Sequence, residues 1–178
     1  MIITISGKPA AGKDTTADLL AKKLKGFKLI KATLREFAKR FGVDVIKFEK
    51  DFASKDYTWD KKLDEWQKEE VRKYPNVILV SWLSAINVPD ADLKIFITAE
   101  FEERVRRLAK REGISIEKAR EYLKERDRIT RERIKKIYGV DIWDKKFYDV
   151  VIDTTNMEPP EVVRIILREM KERGIKID

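Results

Sequence analysis

The chain contains no cysteine and no histidine. Without thiols or imidazoles there are no disulfides, no zinc site built on those ligands, no Ser-His-Asp triad and no histidine general base. Amides are nearly as scarce: Gln67 is the one glutamine, and Asn76, Asn87 and Asn156 are the three asparagines. With Lys, Arg and Glu abundant, this is the balance of hyperthermophilic proteins. Apolar stretches are a few residues long, far short of the ~20 needed to cross a bilayer, so no membrane partner is expected. The opening residues 1–6 run into Gly7 and Lys8 with no basic region and no cleavage site, which predicts a cytoplasmic protein without a signal peptide. Chemistry is left to carboxylates, Lys, Arg, hydroxyls, backbone amides and a bound hard cation.

What is present is a chain of 178 residues, 43% hydrophobic and 40% charged, the size and make-up of one globular domain. Its net charge of +8 is unevenly distributed: residues 104–136 hold 14 Lys and Arg against 6 Asp and Glu, whereas the rest is balanced at 26 and 26. Such an excess asks either for a polyanionic partner, a nucleotide or a nucleic acid, or for a solvated helix face laced with ion pairs.

Apolar runs predict strands near residues 2–6, 27–30, 76–82, 93–98 and 149–153. Between them, 3–4 periodicity predicts helices over 13–25, 34–41, 59–74 and from about 101 to Gly113. Another runs from Ser115 to Tyr138 in one or two pieces, and a last one starts at Pro159-Pro160. On the 59–74 helix, Leu63, Trp66 and Val71 read as the inward side. Arg104, Arg106, Arg107 and Arg111 lie around the helix before Gly113; one of them is expected to face a nucleotide and the others to be solvated. Alternating strands and helices imply parallel pairing, hence a three-layer α/β fold on a five-stranded parallel sheet.

Gly7-Lys8-Pro9-Ala10-Ala11-Gly12-Lys13 fits the G-x-x-x-x-G-K frame between a strand and a helix, the context that motif requires. In such a loop successive backbone N–H groups cradle phosphate, the helix N-terminus adds positive potential, and the lysine reaches the β- and γ-phosphates. The next position, normally Ser or Thr for Mg²⁺, is Asp14, followed by Thr15; either could serve the ion. The strand at 77–80 runs into Ser81-Trp82 without a carboxylate, which argues against a hydrolytic switch. Arg126, Arg128, Arg131 and Arg133 instead crowd four guanidiniums into eight residues, the charge that phosphoryl transfer needs. Helical rotation scatters these charges around the circumference, and no aromatics interleave them, a pattern of a lid over nucleotides rather than of a nucleic-acid surface.

The chain resembles the cytidylate kinase family, especially its small archaeal members, over nearly its full length. The resemblance is carried by residues 2–16 (IITISGKPAAGKDTT), 34–39 (LREFAK), 90–95 (DADLKI), 107–113 (RLAKREG), the arginine cluster with 137–141 (IYGVD), and 148–155 (YDVVIDTT). It implies a P-loop kinase fold with an acceptor-binding insert at about 32–75 and a helical lid at about 112–140. It implies transfer from ATP, with Mg²⁺, to CMP or dCMP. Gly7, Pro9, Ala10, Ala11, Gly12, Lys13, Asp14 and Thr15 would hold ATP and the ion. Lys13, Arg126 and Arg133 would be catalytic, and Arg35, Asp127, Arg128, Arg131 and Trp82 would bind the acceptor. A monomer acting on a small monophosphate is expected. The alternatives are a kinase of another monophosphate or small phosphometabolite, and a nucleotide-dependent RNA-binding or regulatory protein.

Departures fall in the acceptor half. The family's Gly-Asp ahead of the Arg35 helix is replaced by Lys31-Ala32-Thr33, its Glu-Gly-Arg by Val80-Ser81-Trp82, and its Asp-Arg-Arg-Gln by Asp64-Glu65-Trp66-Gln67. Trp66 and Trp82 are thus either core residues or a stacking platform. Trp82 in place of an arginine predicts a weaker grip on the CMP phosphate.

Overall fold

The structure, a computed structural model, describes residues 1–32, 36, 39–40, 42 and 57–175. Five strands form its centre: β1 (Ile2–Gly7), β2 (Lys28–Lys31), β3 (Val77–Val80), β4 (Leu93–Thr98) and β5 (Val150–Asp153). All pairs are parallel, in the order β2-β3-β1-β4-β5. The expected three-layer fold is observed. β1 lies in the middle, with Ile5 opposite Val80 on one side and Ile95 on the other. Its six residues are all buried, which its Ile- and Thr-rich sequence suits.

One sheet face is covered by α1 (Lys13–Lys23) and α6 (Pro159–Glu172). There Leu20, Val163, Ile166 and Met170 meet Ile3, Ile5, Ile78, Ile95 and Ile97. Pro159 and Pro160 start α6, and Glu158 and Glu161 close a capping box on it. The other face carries α2 (Thr58–Glu70), with Leu63 and Trp66 on Ile30, Val77 and Leu79. A 3₁₀ turn (Val71–Lys73) ends α2, and a short helix α3 (Ser84–Asn87), absent from the periodicity, follows β3. α4 (Phe101–Glu112) and α5 (Ile116–Tyr138) form a hairpin packed through Val105, Leu108, Ala109, Ala119 and Leu123. The segment expected in one or two pieces is one helix of 23 residues, opened by Ser115, whose hydroxyl accepts from Lys118 N.

On α2 the buried residues are Asp60, Asp64, Gln67 and Glu70, while Leu63 and Trp66 are only partly covered. Leu63, Trp66 and the buried Val71 pack on the sheet as expected, and a second, polar stripe is buried beside them on the cavity side. Most of the expected 34–41 helix, Arg35 included, lies outside the described residues. Among those described, no helix is long and apolar enough to cross a membrane.

Candidate active site

The phosphate loop begins where β1 ends. At Gly7 a Cβ would sit 2.4 Å from the Ile97 carbonyl oxygen, so β4 approaches too closely for any side chain. At the other end Gly12 takes φ +96°, a left-handed conformation that glycine adopts without strain, and α1 starts behind it. Ala10 shares the left-handed region at φ +60°. Neither Ala10 N–H nor Gly12 N–H meets an acceptor among the described residues, which suits a cradle waiting for an anion.

Beside the loop opens a cavity of about 810 Å³. Lys13 and Asp14 form its floor, Asp60, Asp64 and Gln67 of α2 one wall, Ser81 and Trp82 after β3 another. Arg111 at the end of α4 and Arg126, Thr130 and Arg133 of α5 complete it. The Lys13 side chain is 12% exposed, and burial holds its ammonium below the usual lysine range. Asp14, whose Oδ1 accepts from Nζ at 3.4 Å, offsets part of that effect, while Arg126 and Arg111 add to it. On the opposite wall the Arg126 guanidinium lies 5.5 Å from the Trp82 ring centre and 5.8 Å from that of Tyr122, whose hydroxyl accepts from Nη1 at 2.7 Å. Its Nε is buried without a partner among the described residues. Trp82 is therefore the platform of a cavity arginine, whereas Trp66 belongs to the core under α2.

Arg133 also lines the cavity, but its guanidinium is held by Asp60 through Nε at 3.0 Å and Nη2 at 2.5 Å, in a buried bidentate pair joining α5 to α2. Asp127, Arg128 and Arg131, expected at the acceptor, line neither this cavity nor the neighbouring groove. Asp127 gives both oxygens to Arg104. Arg128 is exposed between Glu125 and Glu132, and Arg131 pairs with Asp141 and stacks on Trp143 at 4.5 Å. Helix phase explains this, since residues 127, 128 and 131 point away from the face that carries 126, 130 and 133. The charge excess of 104–136 is likewise offset by carboxylates just outside it: Glu102 binds Arg120, Glu103 binds Arg106 and Arg107, and Asp141 binds Arg131. Of the four arginines around α4, one expected at a nucleotide and the others in solvent, Arg104 is instead buried, at 2% exposed.

A second groove of about 690 Å³ leads away from the loop between α4 and the segment after β5, lined by Gly12, Thr15, Arg107, Thr154 and Asn156 among others. Of the two candidates for the ion, Asp14 faces the cavity beside Lys13 and Thr15 faces this groove.

Sequence reasoning missed the α2 wall. Asp60, Asp64 and Gln67 repeat at 4 and 3 residues, a helical polar stripe that was legible but reads as a solvated face when the partner is unseen. Asp64 is 4% exposed; its Oδ1 accepts from Asn87 Nδ2 at 2.7 Å, and its Oδ2 has no partner among the described residues. Burial pushes its carboxyl up to about 6, against the Asn87 hydrogen bond and helped by Asp60. Because this lies above the unfolded value of about 3.9, Asp64 supports the fold fully below about pH 4, and that support is lost as pH rises through about 6. Asp64→Asn is therefore expected to raise the stability at pH 7.5, by up to about 3 kcal/mol, and with it the thermal midpoint, and to gain little at pH 4. Melting curves at the two pH values check this; equal gains at both would refute it.

Sheet order, phosphate loop and an arginine-lined cavity next to it define a P-loop phosphotransferase. Solved structures agree on the fold: a shikimate kinase from Aquifex aeolicus matches with TM-score 0.61 at 20% identity, covering 98% of this chain and 99% of that one. An uncharacterized protein from Eubacterium ventriosum gives 0.72 at 17%, over 96% and 98%. The model of the cytidylate kinase-like family matches residues 2–156. Over 180 residues the chain is 37% identical to a cytidylate kinase of Archaeoglobus fulgidus, covering 100% of this chain and 99% of the relative. It is 39% identical to one of Pyrobaculum aerophilum, over 94% and 91%. The chain belongs to the cytidylate kinase-like family.

Proposed function

We propose that this protein transfers the γ-phosphoryl group of ATP to CMP or dCMP. The observation that carries the reading is the joining, in one cavity, of the phosphate-loop lysine, an unpartnered arginine donor and a polar helix face. ATP phosphates would lie on the loop with Lys13 at the β,γ-bridge, and its nucleoside along the groove past Arg107. Arg126 would meet the migrating phosphoryl from the lid side, and Arg133 would close the wall behind it. No covalent intermediate is needed; positioning and fixed positive charge suffice.

Asp14 suits Mg²⁺ by chemistry, one carboxylate at the transfer point with the remaining ligands from phosphates and water, as this ion favours. Its part would be to neutralise phosphate charge. On α2, Asp64 offers an acceptor, and Gln67, whose carbonyl accepts from Ser81 at 2.7 Å, offers its amide N–H groups as donors one helical turn away. That pair complements an amino group beside a bare ring nitrogen, the 4-amino and N3 edge of cytosine; uracil puts a carbonyl where the amine would be. With Trp82 in place of an arginine, and Arg133 held by Asp60, Arg126 is left to meet the acceptor phosphate, so its apparent KM is expected to be high.

An ADP-release assay over all ribo- and deoxyribonucleoside monophosphates tests the proposal. CMP and dCMP should be the best acceptors. Equal or better use of UMP would overturn the base assignment, and no stimulation by any monophosphate would overturn the acceptor class.

A further inference from the structure

A phosphate cradle needs peptide N–H groups that point inward. Across each planar peptide the carbonyl then points outward and needs a donor of its own. Two outward carbonyls of this loop are held by arginines three residues apart on α4. Arg104 Nη1 donates to Pro9 O at 3.3 Å, and Arg107 Nη1 to Ala11 O at 3.4 Å, the latter also bound by Thr154 Oγ1 at 2.8 Å. The Pro9 carbonyl belongs to the same peptide as the Ala10 N–H, so gripping one aims the other. Ala10 is the one non-glycine residue with positive φ among those described, so the loop holds a shape that an alanine resists.

Arg104 does more than grip Pro9. Its Nε donates to Ala99 O at 3.2 Å, just past β4, and Nη1 and Nη2 donate to both oxygens of Asp127 at 3.1 and 2.8 Å. Asp127 follows Arg126 directly on α5, so its anchorage fixes the rotation of the helix that presents Arg126 to the cavity. We infer that Arg104 is a positioning residue for phosphoryl transfer, one that aims the Ala10 N–H at the donor phosphate, holds the left-handed turn at Ala10, and sets the loop and the Arg126 helix in register. A planar fork can serve four acceptors at once; a lysine ammonium on a flexible stem cannot reproduce that geometry.

The inference rests on reading the loop as the ATP site, and the test separates the two. Binding of the β,γ-imido analogue of ATP is measured by calorimetry without acceptor, so the acceptor's identity does not matter. No binding by the unaltered protein would overturn the ATP-site reading. Given binding, Arg104→Lys is expected to raise the Kd of the analogue and the KM for ATP about tenfold or more. The cost of Arg104→Lys should shrink several-fold when measured in an Ala10→Gly background, because glycine adopts the turn without help. A purely architectural arginine would lower the melting temperature, leave the analogue Kd unchanged, and show the same cost in both backgrounds; that result overturns the inference. Should Arg104→Lys fail to fold, Asp127→Asn loosens the same fork without changing its size. A Kd raised threefold or more, less so with Ala10→Gly, supports the inference, and an unchanged Kd defeats it.

Discussion

Lys13→Ala should give a folded protein that turns over ~10²–10³ times more slowly, or worse, at saturating substrates, the scale for losing one preorganised charge in a water-poor site. The Lys13 ammonium is largely buried and held below its usual range by desolvation. A cation kept there at a cost to stability is best explained by charge that arrives with the substrate. Its partner among the described residues is the Asp14 carboxylate at 3.4 Å, too long for a strong ion pair. Removing the side chain should therefore leave the melting temperature nearly unchanged while kcat collapses. ADP release and a thermal melt on the same preparation check both halves, and near-full turnover would remove the basis for the phosphate-loop assignment.

Arg133→Met is expected to have the largest effect on stability. The Arg133–Asp60 pair is buried, bidentate and spans 73 residues of sequence. Deleting one partner leaves the other charge dry and uncompensated, at a cost of about 3–5 kcal/mol. In a domain of this size that is about 10 °C in melting temperature. Replacing both partners, Asp60→Leu with Arg133→Met, should recover most of the loss, because well-packed apolar residues often substitute for a buried pair without penalty. Urea denaturation of the two single variants and the double variant measures it. Additive losses would mean that the pair is not the unit of stabilisation.

The two contacts that organise the site, Arg133–Asp60 and Arg104–Asp127, show where sequence reading stops. β1, the phosphate loop, β3, β4 and the proline-started α6 were legible because each is local: a β-branched run, a glycine frame, a periodic stripe. The glycines at positions 113 and 139 likewise marked the ends of α4 and α5. By contrast, nothing near Arg104 distinguishes it from Arg106 and Arg111, which stay exposed. Its burial follows from an aspartate 23 residues on and a loop carbonyl 95 residues back. On α2 the same limit left the reading half complete: Leu63 and Trp66 are on the core side as their spacing suggested, but the buried polar side of Asp60, Asp64 and Gln67 that lines the cavity went unread. Arg126 lines the cavity, while Asp127, Arg128 and Arg131 differ from it only in helix phase, which a cluster count does not resolve.

The central place of β1 also sets a time scale. Its amides bond to strands on both sides and lie under both helical layers, so their hydrogens exchange with solvent only when the whole sheet opens. A few residues further, the N–H groups of Ala10 and Gly12 have no acceptor among the described residues, so no hydrogen bond there has to break before they exchange. Protected and unprotected hydrogens are thus near neighbours in sequence, on either side of Gly7. A bound phosphate would slow only the second group, so the loop reports its own occupancy against a reference built into the strand before it.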